Sequence, residues 1–278
     1  MKRVLTALVL VPIVLLVVFL WPQQPWLFTV AVATVAALAA WEFLGLAENS
    51  GAKPPRIAVL VAVLALFAGN LIWDQRDQSA TILGILSLAL LVYCTFSRPV
   101  EQMLADASTS IFCLFYVGMT LVTLIAMRRE SNGPSLVAFL LCVVWAGDIA
   151  ALYIGRAWGR HKMAPALSPN KTWEGALGSV AGSLLVTGAL LGLAHLLESW
   201  NLATLSYPDD LWYWLVLAVL INIAAQIGDL AESALKRSAG VKDSGSLLPG
   251  HGGVLDRIDA LLLAAPVLWY AQVIHQWF

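Results

Sequence analysis

Residues 226–259 read QIGDLAESALKRSAGVKDSGSLLPGHGGVLDRID. This stretch contains nine of the 33 charged residues of the chain, and His251 adds a tenth titratable group. It separates two apolar runs in a chain of 278 residues that is 60% hydrophobic and only 12% charged. Ordinary soluble domains are about half apolar and about one quarter charged. The composition therefore indicates a membrane protein, in which this stretch is a polar break between two spans.

Nine apolar runs are long enough to cross a bilayer, which requires about 20 residues. They lie near residues 4–20, 26–46, 57–73, 79–97, 107–127, 135–155, 175–197, 211–231 and 255–275. The first run follows Lys2 and Arg3, but no small-residue cleavage site comes after it, so we interpret it as a span and not as a signal peptide. The sequence predicts an all-α polytopic membrane protein with about nine transmembrane helices.

The distribution of Lys and Arg predicts the orientation. If the N-terminus is inside, thirteen of these residues fall on the cytoplasmic side, and only Arg76, Arg128 and Arg129 fall outside. Cytoplasmic loops of membrane proteins carry an excess of Lys and Arg. We therefore predict that the N-terminus lies inside and the C-terminus outside.

This orientation places both long polar loops, residues 156–174 and 232–254, in the cytoplasm. We predict an N-terminal region of five spans, residues 1–134, and a C-terminal catalytic region of four spans, residues 135–278, which contains both loops. No internal repeat or low-complexity tail is evident in the sequence.

Acids at the cytoplasmic ends of the spans are the first functional candidates, because an acid in a span is costly unless it is paired, hydrated or bound to a cation. These acids are Asp148, Asp229, Asp256 and Asp259, and Glu42 falls toward the same end of its span. For any one of them, a place in the headgroup layer without a function is the alternative interpretation.

The spacing of these acids favours a shared role. Asp229, Glu232 and Lys236 stand on one face of a helix, at i, i+3 and i+7, and Asp256 and Asp259 stand one turn apart on the next helix. The glycine-rich loop between these helices predicts that the two acidic faces meet. Oxygen ligands without Cys or paired His favour a hard cation such as Mg²⁺.

Basic residues accompany the acids and could neutralise phosphate oxygens. They are Lys236, Arg237, Lys242, His251 and Arg257. Residues 249–253 offer backbone N–H groups near the predicted start of a helix, which is a common anion site. Topology anchors and lipid headgroup contacts are the alternative roles of such basic residues.

The end of the polar loop 156–174 also combines a basic residue with the predicted start of a helix. Ser168 or Thr172 is predicted to cap the following helix, and Lys171 beside that helix start predicts a small anion site. A capped interfacial turn without a ligand is the alternative interpretation.

Other signatures are absent or uninformative. The sequence has no P-loop motif, which argues against a P-loop ATPase. Cys94, Cys113 and Cys142 lie within apolar runs, so we expect small buried side chains and neither a disulfide nor a zinc site. A cation-coupled secondary transporter is a rival function, because membrane carboxylates also form ion pathways.

The polar motifs resemble those of the phosphatidate cytidylyltransferase, or CDP-diacylglycerol synthase, family. The matching segments are residues 233–237, 242–245, 248–259, 148–155, 159–162, 164–165 and 168–175. The resemblance covers about residues 148–260, and the N-terminal half is similar only in its hydrophobic character. One position departs from the family pattern: an Ala-Tyr pair is usual after the aspartate matching Asp148, but here Leu152 follows Ala151 and the tyrosine is Tyr153.

The resemblance implies that CTP and phosphatidate react to give CDP-diacylglycerol and pyrophosphate, with Mg²⁺ and a second cation, K⁺. It implies an enzyme of phospholipid biosynthesis in the bacterial cytoplasmic (inner) membrane, with its site facing the cytoplasm. The implied partners are CTP, phosphatidate, membrane lipids and a second copy of the chain in a homodimer, and no nucleic acid is implied. The same chemistry on another lipid phosphate remains an alternative.

The resemblance also assigns roles to residues. Asp229 and Asp256 match the family's metal ligands, with Asp148 as a further candidate. The catalytic set comprises Asp229, Asp256, Asp259, Lys236 and Lys171, in which Asp259 would hold a second metal or orient Arg257. The substrate-binding set comprises Ser168, Lys171, Thr172, Arg237, Lys242, Asp243, His251 and Arg257.

Overall fold

The computed structural model describes residues 12, 14–19, 25–73, 78–202, 205–208, 210–247 and 252–275. Most of these residues are helical, which confirms the all-α prediction. A helix bonds all of its interior N–H and C=O groups within itself, and this is what a segment without contact to water requires. His251, predicted to bind substrate, lies outside the described residues.

The labelled helices follow in chain order. They are α1 (Pro25–Asn49), α2 (Arg56–Ile72), α3 (Gln78–Ser97), α4 (Val100–Cys113), α5 (Thr120–Arg128), α6 (Gly133–Trp158), α7 (Trp173–Ser199), α8 (Leu211–Ser238) and α9 (Leu255–His275). A π-helical segment, Leu114–Met119, joins α4 to α5. One antiparallel hairpin, β1 (Lys162–Ala164) and β2 (Ser168–Thr172), lies between α6 and α7.

Seven of the described helical segments are long and apolar enough to cross a membrane. They are α1 from Trp26, α3, the continuous segment Val100–Arg128, α6, α7, α8 and α9. The predicted span 57–73 corresponds to α2, a shorter apolar helix of 17 residues. The predicted span 4–20 lies largely outside the described residues. The chain is thus a polytopic helical membrane protein, and the count of nine spans stays a prediction.

The helix over the predicted span 107–127 begins earlier than predicted, at Val100. It therefore includes Asp106, which is fully buried. The Asp106 carboxylate accepts a hydrogen bond from the Lys53 backbone N–H at 2.6 Å, and its other oxygen lies 3.8 Å from Arg98 Nε. A buried carboxylate with such partners is tolerated, which explains why the helix extends through it.

The chain forms two compact units, each composed of two segments. The first unit is Met1–Ala126 with Ala234–Ile258, and the second is Met127–Ser233 with Asp259–Phe278. Both α8 and α9 contribute residues to each unit. The predicted division into functional regions at residue 134 stays a prediction.

The first unit has an apolar core with an aromatic cluster. The rings of Phe43, Phe112 and Tyr116 have centroids 5.3 to 6.0 Å apart. Leu66 and Leu114 are fully buried. These side chains pack α1 and α2 with the segment that runs from α4 into the π-helical turn.

Small residues bring α6 and α7 close together in the second unit. A Cβ atom added at Gly178 would lie 2.5 Å from Ile154 Cδ1, and one added at Gly182 would lie 2.6 Å from Ala150 Cβ. Small residues at three- and four-residue spacing let helix backbones approach in membranes, where packing is the main source of association. The α6–α7 contact therefore depends on the absence of side chains at these glycines.

A row of polar side chains attaches α8 to α7 within the second unit. Asn222 Nδ2 donates to the hydroxyl oxygens of Ser179 and Ser183, both at 2.8 Å. Gln226 Nε2 donates to Asn222 Oδ1 at 2.6 Å and to the Ala176 carbonyl at 3.3 Å. Interhelical hydrogen bonds of this kind contribute about 0.6 kcal/mol each in a membrane protein, so the row orients α8 against α7.

Candidate active site

The polar row on α8 ends in an ion pair, which we call the Lys171 pair. Asn222, Gln226 and Asp229 lie at i, i+4 and i+7 of α8 and share one face. Lys171 Nζ lies 2.6 Å from Asp229 Oδ2, and both side chains are partly exposed. The sequence predicted both residues as site members, and the structure brings them into contact.

The end of the hairpin and the start of α7 place Lys171. Thr172 is the N-cap of α7, and its hydroxyl oxygen accepts a hydrogen bond from the Gly175 N–H at 3.2 Å. This confirms the cap predicted for Thr172, whereas Ser168 lies in β2, where it pairs with Ala164. The cap fixes the direction of the chain one residue after Lys171.

Glu174 in the first turn of α7 holds the other side of the hairpin. Its carboxylate accepts hydrogen bonds from the backbone N–H groups of Arg160, at 3.1 Å, and His161, at 3.2 Å. His161 Nδ1 lies 2.6 Å from Glu174 Oε1. These contacts hold the segment after α6 against the first turn of α7, the helix that Thr172 caps.

The second group of site residues surrounds Asp256 in the first unit, and we call it the Asp256 cluster. It comprises Glu42, Lys236, Ser244, Gly253 and Asp256. Asp256 Oδ1 accepts a hydrogen bond from Lys236 Nζ at 2.6 Å. Asp256 Oδ2 accepts from the Ser244 N–H and hydroxyl, both at 2.9 Å, and from the Gly253 N–H at 2.8 Å.

These contacts provide partners for both oxygens of a nearly buried carboxylate. The side chains of Asp256 and Lys236 are 4% and 12% exposed. A buried charge is destabilising unless it is paired and hydrogen-bonded, and here each carboxylate oxygen has a donor. The cluster therefore stabilises a negative charge at Asp256 within the first turn of α9.

The glycine-rich approach to α9 is required by these contacts. Gly252 has φ +80°, and a Cβ atom added there would lie 2.6 Å from Asp256 Oδ2. A residue with a side chain would be strained in this conformation and would also meet the carboxylate. The loop can approach Asp256 closely only because position 252 is a glycine.

One of the 249–253 N–H groups predicted to bind phosphate is already occupied by a carboxylate of the chain. The Gly253 N–H donates to Asp256, and the next two N–H groups, of Val254 and Leu255, donate to Glu42. Two carboxylates of the chain thus already occupy the donors at the start of α9. Residues 249–251 lie outside the described part of the chain.

The remaining predicted residues line exposed or partly exposed surfaces. Arg237 Nη1 donates to the Val241 carbonyl at 2.9 Å, at the end of α8. Asp259 Oδ1 accepts from the Ala260 N–H at 2.8 Å. The exposed members of the predicted set are Asp148, Arg237, Lys242, Asp243 and Arg257. Tyr153, the displaced tyrosine, is 68% exposed.

A cavity of about 560 Å³ lies in the first unit. Its wall is mainly apolar, with hydroxyl groups from Ser50, Ser108, Thr109 and Ser238. Phe43, the neighbour of Glu42, and Leu235, the neighbour of Lys236, both line it. Sequence neighbours of two residues of the Asp256 cluster therefore line the cavity.

Asp229 and Asp256 have the ligand type of the metal that the resemblance implies. Mg²⁺ takes one or two carboxylates and completes its shell with water and substrate phosphates. Each of these carboxylates already binds an ammonium group in the structure. Among the described residues, no group of three or more His, Cys, Asp or Glu side chains is arranged to hold a metal ion.

Comparison with known proteins agrees with these motifs. The model of the cytidylyltransferase family matches residues 1–275. The chain belongs to the cytidylyltransferase family. Family membership thus extends across the hydrophobic N-terminal half, which the motifs alone did not cover.

Several relatives in the family are phosphatidate cytidylyltransferases. The protein of Haemophilus influenzae is 34% identical over 97% of both chains, and that of Staphylococcus saprophyticus is 36% identical over 76% of this chain and 75% of its own. The protein of Brucella melitensis is 50% identical over 157 residues, which are 56% of this chain and 54% of that relative. The chain thus aligns with about half the length of the Brucella relative and with nearly all of the Haemophilus relative.

Two members of the Asp256 cluster were missed as site residues by reasoning from the sequence. Ser244 was part of a matching segment without a role, and Glu42 was noted only as an acid near the end of a span. An acid within an apolar run was the one available signal for Glu42. No local pattern connects it to partners more than 200 residues later.

Proposed function

We propose that the chain is a phosphatidate cytidylyltransferase, which forms CDP-diacylglycerol and pyrophosphate from CTP and phosphatidate. The observation that carries this proposal is the match to the Haemophilus relative over 97% of both chains. The paired carboxylates and lysines of the site support it, because the reaction joins two anions. The family match favours this enzyme over the transporter hypothesis.

The reaction requires charge stabilisation more than a strong base. An oxygen of the phosphatidate phosphate attacks the α-phosphorus of CTP, a new P–O bond forms, and the bond to the β-phosphate breaks. The electron pair of that bond leaves with pyrophosphate. Because the attacking phosphate is already an anion at neutral pH, the site must mainly hold the two substrates in contact and stabilise the departing charge.

The lysines supply part of that stabilisation. We assign Lys171, Lys236, Arg237 and Lys242 to the triphosphate of CTP or to the lipid phosphate. Lys171 and Lys236 are held by Asp229 and Asp256 in the structure. A lysine fixed by a carboxylate loses less conformational freedom when it meets a phosphate, and its remaining N–H groups can donate.

We assign Mg²⁺ to Asp229 and Asp256, with Asp148 as a further candidate, and K⁺ as the second cation. When bound, Mg²⁺ would act as a Lewis acid on phosphoryl oxygens. Asp259 would serve the second cation or orient Arg257. Ser168, Thr172, Asp243 and His251 complete the proposed substrate-binding set.

The proposed setting is the bacterial cytoplasmic membrane. We propose nine transmembrane helices, the N-terminus inside, the C-terminus outside and the site facing the cytoplasm. The excess of Lys and Arg in the loops on that side supports this orientation. A homodimer is proposed from the family resemblance alone.

Activity of purified protein tests the function. With labelled CTP and phosphatidate in detergent or vesicles, we expect CDP-diacylglycerol and pyrophosphate to form only when Mg²⁺ is present. Asp229→Asn and Asp256→Asn should each lower kcat by about 100- to 1000-fold, because a metal ligand supplies several kcal/mol of transition-state stabilisation. Both variants should remain folded in the membrane, with a larger fall in melting temperature for Asp256→Asn, because its pair with Lys236 is nearly buried.

The controls decide between the alternatives. Lys53→Met changes an exposed basic residue outside the proposed site and should keep wild-type activity. Full activity of either Asn variant would remove that residue from the metal assignment. If phosphatidate fails but another lipid phosphate reacts, the same chemistry with a different acceptor is the function, and failure with every lipid phosphate would overturn the proposal.

A further inference from the structure

Glu42 is a buried acid of α1 whose two carboxylate oxygens are both occupied by donors from a distant part of the chain. The residue is only 5% exposed. Oε1 accepts a hydrogen bond from the Val254 N–H at 2.9 Å, and Oε2 accepts one from the Leu255 N–H at 2.8 Å. Oε2 also lies 3.1 Å from the Ser244 hydroxyl oxygen. Glu42 thus contacts both an interior residue, Ser244, and the end of the loop that precedes α9.

The contacts at the end of the loop cap α9 from outside. The first N–H groups of a helix have no partner within the helix, and a negative charge there is favoured by the helix dipole. Most helices obtain this cap from a side chain close in sequence. Here a side chain of another helix supplies it, so the position of α9's first turn depends on α1.

The loop is shaped to admit the Glu42 carboxylate. A Cβ atom added at Gly245 would lie 2.6 Å from Glu42 Oε1. One added at Gly253 would meet both Glu42 Oε2 and the Ser244 hydroxyl. Glycine at both positions leaves the space that the carboxylate fills.

Ser244 connects Glu42 to Asp256. Its hydroxyl oxygen lies 3.1 Å from Glu42 Oε2 and 2.9 Å from Asp256 Oδ2. A hydroxyl has one proton to donate, so the two carboxylates share it. The Ser244 N–H also donates to Asp256. The same short segment is therefore fixed by both acids.

We propose that Glu42 is the positioning residue of Asp256. It holds Ser244 on one side and the first turn of α9 on the other, and thereby sets where the Asp256 carboxylate lies and leaves its Oδ1 to Lys236. Glu42 is not a catalytic residue, because its oxygens are taken by N–H and O–H donors of the chain. This inference rests on the proposed function, since Asp256 is the group that it positions.

Glu42→Gln is the principal test, because glutamine has the same shape but presents an amide N–H where the carboxylate presented an oxygen. That N–H would face another donor, so at least one of the contacts is lost. We expect kcat to fall about 10- to 100-fold, the usual effect of losing a group that orients a metal ligand. The KM for phosphatidate should change little. Glu42→Asp keeps both oxygens and should recover part of the loss.

Hydrogen–deuterium exchange of the metal-free protein gives a readout independent of activity. Peptides that cover residues 244–257 should exchange faster in Glu42→Gln than in the wild type. Glu48→Gln is the matched control, since Glu48 lies on the same helix but forms an exposed pair with Arg56 at 2.5 Å. Its kcat and its exchange in residues 244–257 should equal those of the wild type.

Unchanged exchange at residues 244–257 in Glu42→Gln would overturn the inference, and so would a wild-type kcat. If Glu42→Gln does not fold, Ser244→Ala decides, because a wild-type kcat together with unchanged exchange at residues 244–257 in that variant would equally exclude a positioning role. If the wild type itself makes no CDP-diacylglycerol, the proposed function fails. The exchange measurement would still show whether Glu42 holds the loop.

Discussion

At the scale of single residues, one aspartate in each compact unit holds a lysine. Lys171 is bound to Asp229, and Lys236 to Asp256, with N–O distances of 2.6 Å in both pairs. The two pairs differ in exposure: the side chain of Asp229 is 39% exposed and that of Asp256 only 4%. Solvent and salt screen an exposed pair strongly. We therefore expect the Lys171 pair to cost less to break than the Lys236 pair.

This difference gives a prediction for Lys171→Met, which keeps most of the side-chain volume and removes the charge. We expect kcat/KM for CTP to fall about 100-fold, the loss typical of one preorganised donor at a site of developing charge. The melting temperature should change by less than in Lys236→Met, because a buried acid without its partner is strongly destabilising. Steady-state kinetics with CTP varied, and thermal unfolding of both variants, measure this. Unchanged CTP kinetics in Lys171→Met would exclude Lys171 from the nucleotide site.

At the scale of helices, the α6–α7 contact fixes the hairpin and the cap that carry Lys171. The contact is made by glycines, and not all glycines of α7 take part. An added Cβ at Gly182 would meet Ala150 Cβ at 2.6 Å and the Ala146 carbonyl at 2.9 Å, whereas at Gly188 and Gly192 it would meet nothing within 4 Å. The helix thus has a closely packed part and an open part within ten residues.

Alanine substitutions at these glycines should distinguish the closely packed part of α7 from its open part. Gly182→Ala should lower the melting temperature and the activity, because the backbone of α6 has to move away. Gly188→Ala and Gly192→Ala should be neutral or stabilising by up to about 1 kcal/mol, since alanine is the better helix former. Thermal unfolding in detergent compares the three. Equal effects would contradict the close packing at Gly182.

Local chemistry was sufficient to predict some of these elements and insufficient for others. The Thr172 cap could be predicted because a capping residue acts on N–H groups two or three positions away. The π-helical turn and the β1–β2 hairpin could not be predicted in this way. For the hairpin, the reason is that Ser168–Thr172 contains a proline and lacks the alternating apolar pattern of a strand. Lys236 and Asp256 were identified as site residues, but their pairing across 20 positions depends on the fold. Glu42 is the extreme case, because its partners are 202 to 213 positions away.

At the scale of the whole molecule, apolar composition establishes a multi-pass protein, but orientation depends on a few charges in the loops. Trp158 is the last residue of α6 and Trp200 directly follows α7, and the two residues are 69% and 62% exposed. The predicted orientation places Trp158 in the cytoplasm and Trp200 outside. Because α7 is the helix between Trp158 and Trp200, labelling at these two positions tests the direction in which α7 crosses the membrane.

A membrane-impermeant maleimide should therefore label Trp200→Cys in intact cells, or in spheroplasts if an outer membrane is present. Trp158→Cys should be labelled only after the membrane is opened. The wild type provides the background, because Cys94 and Cys113 are buried and Cys142 is largely covered. Labelling of Trp158→Cys from outside would reverse the proposed orientation and with it the cytoplasmic placement of the site.

The contact between Glu42 and the start of α9 also bears on how the protein is made. Glu42 enters the membrane 212 residues before Val254 is synthesised. At translation rates of roughly 5 to 20 residues per second, this acid waits about 10 to 40 s for its partners. During that interval its charge must be hydrated or shielded by the insertion machinery. The Asp256 cluster therefore forms only after Val254 and Leu255 have been synthesised, and a partly synthesised chain lacks it.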